Sequence, residues 1–141
     1  MGDAGASQSK IGRVKKFCPG TFLGKKWQDR LIEVTDTEIK YWASRSDMYI
    51  LNEWESERPK KRIPMSAISR VRSYHVSPAS PATKIHLDFK RKAKPPTNHV
   101  LTIEYTGETG KAETLCLSVS SSSELAGWMS VLPNGDAERR L

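Results

Sequence analysis

SSSELAGWMSVL, residues 121–132, is the one stretch in this chain where the apolar period changes. Ser121 followed three residues later by Glu124 makes a capping box, and Leu125, Trp128, Met129 and Leu132 then recur at helical spacing. Pro133-Asn134-Gly135 stops the pattern. One amphipathic helix of about eleven residues is therefore predicted near the end of the sequence.

Working back from that helix, the chain reads as short strands separated by turn signals. Leu115, Leu117 and Val119 carry one face of a strand, preceded by a hairpin turn at Gly107 to Gly110. HVLTIEY at 99–105 and KIHLDFK at 84–90 alternate with period two, as half-buried strands do. Ile63 to Met65 and Ile68 to Val71 are short apolar pieces around Pro64, which marks an edge position or a strand end. EIKYWA at 38–43 sets Ile39 and Tyr41 on one face and Lys40 and Trp42 on the other; the turn Thr35-Asp36-Thr37 joins it to WQDRLIEV at 27–34. Ile11, Val14 and Phe17 mark a first strand, with Gly12 as a bulge or a close approach. These seven strand candidates and one helix predict a mainly-β fold, a seven-stranded antiparallel barrel or sandwich with one open end closed by the C-terminal α-helix. Residues 1–9, small and polar, read as a disordered leader, 10–133 as the domain and 134–141 as a tail.

Composition narrows the function classes. The 141 residues hold 23 Lys and Arg against 16 Asp and Glu, a formal charge of +7, so an anionic partner is favoured. Cys18 and Cys116 match no metal or redox spacing, which fits a reduced intracellular chain; Cys116, in an alternating run, is expected to be buried and Cys18 exposed. No apolar run approaches the roughly twenty residues of a spanning helix. The Met-Gly start lacks the Ser or Thr at position six of an acylation motif, having Ala6 there. His75, His86 and His99 are scattered, the serines lack a nucleophile elbow and the glycines make no P-loop. No enzyme, metal or cofactor is expected. Nucleic acid is argued against, because no basic strand face carries stacking aromatics.

The basic charge concentrates in Lys10 to Lys26, where Lys10, Arg13, Lys15, Lys16, Lys25 and Lys26 occur without an acid. Phe17, Pro19, Phe22 and Leu23 form an apolar tip between them, and the pattern suits a membrane surface: cations for anionic head groups, Phe22 and Leu23 for the acyl boundary. A solvated hairpin whose Phe22 or Leu23 folds back onto the core is the alternative.

The ordered set of IGRVKK, a basic loop, Trp27, Arg30, IEVTDTEIKYW, the IPM segment and ELAGWMSVL resembles a pleckstrin homology domain over roughly residues 10 to 133. The resemblance implies that Trp128 packs into the barrel and that anionic head groups bind at the open end. It assigns Lys15 or Lys16 and Arg30 to phosphate contacts, with Tyr41 at a position that is often a phosphate-binding tyrosine. One half of the family's basic pair in the second strand departs, since Gln28 stands there, followed by Asp29. A charge-assisted bond is lost with it, which gives a head group of lower charge, such as phosphatidic acid, equal standing with a monophosphorylated phosphoinositide. The expected function is a peripheral membrane-binding module, cytoplasmic and reversibly attached to membrane, with head-group contacts at Lys15, Lys16, Lys25, Lys26, Arg30 and Tyr41 and insertion at Phe22 and Leu23. Arg58, Lys60, Lys61, Arg62 and Lys90 to Lys94 would widen the footprint if they lie at the same end. The alternative is a protein-interaction adaptor with a degenerate lipid site, for which residues 48–54 are the candidate partner surface.

Overall fold

A computed structural model describes residues 9–18, 27–43, 57–75, 96–133 and 139–140. The strands are β1 (Lys10–Phe17), β2 (Trp27–Val34), β3 (Glu38–Ala43), β4 (Lys61–Pro64), β5 (Ile68–His75), β6 (His99–Thr106), β7 (Ala112–Val119) and a two-residue β8 (Arg139–Arg140); the helix is α1 (Ser122–Val131). They form one sheet in the order β4-β3-β2-β1-β7-β6-β5-β8, antiparallel throughout except where β8 pairs with β5.

Seven antiparallel strands form without residues 84–90, which lie outside the described residues, because the 61–75 stretch supplies two of them. Pro64 ends β4, a single 3-10 turn over Met65–Ala67 follows, and β5 begins at once. β4 and β5 sit at opposite ends of the seven-strand order, so a connection this short requires the sheet to curl back on itself. Pro64 stands on an edge strand, where its missing N–H costs no ladder bond.

Alternation sets what the curl encloses. Ile32, Val34, Ile39, Ile63, Val71, Leu101, Ile103, Leu115 and Leu117 are buried together with Leu125 and Trp128 of α1. The Ser121 hydroxyl caps the helix by accepting from the Glu124 N–H at 3.1 Å. Gly12 is a close approach: a Cβ there would lie 3.3 Å from the Trp128 ring. The Lys10 ammonium stands 5.0 Å above that ring and 3.4 Å from the Glu124 carboxylate, fastening the helix to the start of β1.

The sheet is buried on both faces in places, which one-sided alternation does not show. Trp42 does point away from Ile39, yet it is buried with Leu31, against Ile11, and its indole N–H donates to the Glu57 carbonyl at 2.9 Å. On the same side, Trp27, Tyr74, Val100 and Cys116 form another apolar cluster with Phe17 against them. Cys116 is buried, as alternation implies, and its thiol is pushed up to about 12 by desolvation; Cys18 is half-buried rather than exposed.

Candidate functional site: the mouth opposite the helix

β1 runs from the helix end of the barrel to the other end, and Val14 fixes its phase. With Val14 in the core, Lys16 turns inward and Lys15 outward. Lys15 stands opposite Asp29 in register and its ammonium lies 2.8 Å from that carboxylate, so the two lysines between which the sequence did not choose are on different faces. Arg30, opposite Val14, faces the same way as Lys16.

Lys16 and Arg30 converge. The Lys16 ammonium is 3.9 Å and Arg30 Nη2 3.8 Å from the Cys18 sulfur, and among the described residues neither cation has a carboxylate partner. Gln28, opposite Lys16 in register, accepts from Arg30 Nη2 at 3.2 Å, while the Asp29 carbonyl accepts from Nη1 at 2.8 Å. The residue that departs from the family's basic pair is thus a brace for the arginine. Arg30 Nε is buried with no partner among the described residues.

β3 and β4 continue the rim. Tyr41 is paired in register with Lys61, and the Lys16 ammonium sits 5.5 Å from the Tyr41 ring. Lys61 reaches across to β6 and β7: its ammonium is 5.3 Å from the Tyr105 ring and 3.2 Å from the Glu113 carboxylate, which also accepts from the Tyr105 hydroxyl at 3.2 Å. The chain entering β4 is held in place because the Lys60 N–H donates to the Tyr41 carbonyl at 2.8 Å. A rim of cation, ring, cation, ring and carboxylate results. Beside it lies a cleft of about 840 Å³, lined by residues 57–62 together with Glu108, Thr109 and Glu113.

Burial and charge set the titration of this rim. Desolvation holds the Lys16 pKa below the usual lysine value, with Arg30 and Lys61 acting in the same direction and Cys18 opposing. Burial raises Tyr41, which keeps its hydroxyl proton at neutral pH as a donor. The hydrogen bonds of Lys61 with Tyr105 and Glu113 raise Lys61 despite desolvation, and its bond to Glu113 lowers the carboxyl.

Of the residues expected from the sequence, the structure brings together Lys16, Arg30 and Tyr41 and separates Lys15 from them. Lys25, Lys26, Phe22, Leu23, the 48–54 segment and Lys90 to Lys94 lie outside the described residues. Tyr105 and Glu113 were missed. The inward phase of Leu101 and Ile103 carries on to Tyr105, and the turn at Gly107 to Gly110 pairs Tyr105 with Glu113, so hairpin register held the signal. Among the described residues no group of His, Cys, Asp and Glu could hold a metal, and no helix is long and apolar enough to cross a membrane.

A curled sheet closed by a helix at one end and ringed by cations at the other defines a β-barrel binding module. The PH domain family profile matches residues 8–134, and the chain belongs to that family. PH domains bind lipids or proteins and are typically not catalytic. Among solved structures, the chain is similar to the N-terminal PH domain of ARAP2 from human, with 19% identity over 93% of this chain and 79% of that one and a TM-score of 0.48. It is also similar to the hSac2 domain from human phosphoinositide phosphatase Sac2, with 8% identity over 95% and 79% and a TM-score of 0.45. No curated protein sequence matches the chain.

Proposed function

We propose that this PH domain is a peripheral membrane-binding module whose mouth takes an acidic phospholipid head group bearing one phosphomonoester, as in phosphatidic acid or a monophosphorylated phosphoinositide. The observation that carries this is the charge balance of the inward rim. Among the described residues three cations, Lys16, Arg30 and Lys61, face one contacting carboxylate, Glu113, which leaves two positive charges there, with Lys16 and Arg30, without a carboxylate partner. A phosphomonoester carries about −1.5 to −2 at neutral pH, so the two are complementary. Arg30 Nε, the Lys16 ammonium and the Tyr41 hydroxyl are donors for its oxygens. Phe22 and Leu23 would add a wedge that salt does not weaken.

Co-sedimentation with phosphatidylcholine vesicles carrying phosphatidic acid or a phosphatidylinositol monophosphate tests the site. Lys16→Ala, Arg30→Ala together should remove binding with the thermal transition kept. Parent-like binding by the double variant would place the contact elsewhere. No preference of the parent for either lipid over phosphatidylserine would leave the protein-adaptor reading.

A further inference from the structure

Glu113 is an acid on a rim built to attract an anion, and its position is engineered by three neighbours. Lys61 and the Tyr105 hydroxyl hold the carboxylate, both at 3.2 Å. Gly107 leaves it room, since a Cβ at that glycine would overlap the carboxylate. The side chain keeps 38% of its exposure, so it remains part of the mouth and of the adjoining cleft. Two other acids on strands that reach the mouth are spent away from it: Asp29 on the outward face with Lys15, and Glu38, at the helix end of β3, with Arg62. Glu113 is the carboxylate that contacts Lys61 and Tyr105 of the rim, while Glu57 and Glu108 line the adjoining cleft.

We infer that Glu113 is a specificity-determining residue that fixes the charge class of the head group, admitting one phosphomonoester and rejecting two or three. This rests on the head-group site proposed above. The physical basis is differential. A single phosphate seated by Lys16 and Arg30 meets Glu113 only across the mouth. A second or third phosphate must extend along the rim toward Lys61, where the cation is already matched and a carboxylate repels the newcomer in a partly desolvated setting. A carboxylate offers acceptors only, so it gives a phosphate oxygen no hydrogen bond in return.

The test compares binding to phosphatidylcholine vesicles containing phosphatidic acid, a phosphatidylinositol monophosphate or phosphatidylinositol trisphosphate, with phosphatidylserine added until surface charge is equal. The first two arms differ in what carries the phosphomonoester and so identify its source. Glu113→Gln keeps the shape and the Tyr105 bond but removes the charge; it should raise the trisphosphate-to-monophosphate affinity ratio about tenfold. Glu113→Asp keeps the charge and should stay near the parent ratio. Thermal transitions of both should match the parent. An unchanged ratio in Glu113→Gln, or equal ratios for the Gln and Asp variants, overturns the filter. If in that case Lys16→Ala, Arg30→Ala still abolishes binding, the head-group site stands without the filter; if the double variant binds as the parent does, both fall.

Discussion

Lys10 and Lys16 sit on one strand and one face, six residues and so roughly 20 Å apart, and they have opposite lives. Lys10 has an acid 3.4 Å away and an indole beneath it; it belongs to the packing of α1. Lys16 is half-buried beside another cation, with no carboxylate among the described residues and its pKa held down by desolvation. A lysine at the first end is satisfied by the fold. Lys16, at the second end, has no carboxylate among the described residues, and it is that deficit on which the proposed head-group site rests.

Trp128→Ala tests the closed end most severely. Its ring is 1% exposed and fills the space left by Gly12, so its removal should cost about 3–5 kcal/mol. Urea unfolding should show this, with any loss of lipid binding tracking the unfolded fraction. Retained stability would mean that the barrel is not closed by this side chain.

Lys16→Met should act only at the open end. Hydrogen bonds to charged groups are worth about 1.5–3 kcal/mol, so affinity for phosphatidic acid vesicles should fall about tenfold or more. The midpoint of unfolding should hold or rise, because a desolvated cation and its repulsion from Arg30 are removed. A loss of stability without loss of affinity would reverse the assignment of the two ends.

Lys10→Met is the mirror of that experiment. Its ion pair is partly exposed, and the pair with the cation–π contact together contribute about 1 kcal/mol. Chemical denaturation should register that loss while vesicle affinity stays at the parent value.

The smallest effect is a pH dependence with two signs. In the folded protein Lys16 releases its proton below the ordinary 10.5, whereas the unfolded chain releases it there. Between those two points the unfolded state binds more protons, so the Lys16 contribution to stability improves as pH rises. Lipid affinity should decline over the same window, since the neutral amine no longer attracts phosphate. Titration of both quantities in parent and Lys16→Met would show the opposed slopes disappear together.

Much of this is legible in the residues. The switch from a period of two to helical spacing at Ser121 and the alternation of Leu101, Ile103 and Tyr105 give barrel strands and helix, because local periodicity reports which side of an element is dry; Gly12 was legible as a bulge or a close approach, and its partner Trp128 only in the structure. The outward burial of Trp42 and Trp27 was not legible, since period two names two faces without saying that both are covered.

The sequence by itself determined a basic, mainly antiparallel β fold followed by one helix, and it placed Lys16, Arg30 and Tyr41 among the candidates for an anion. Only the tertiary structure decided that Lys15 turns outward to Asp29 while Lys16 turns inward, turned Gln28 from a missing cation into the support of Arg30, and carried Lys61 across to Tyr105 and Glu113. The reason is distance along the chain. Lys61 and Glu113 are 52 residues apart, and β4 is not hydrogen-bonded to β6 or β7, so no strand register links them; the curl forced by the short β4–β5 connection does.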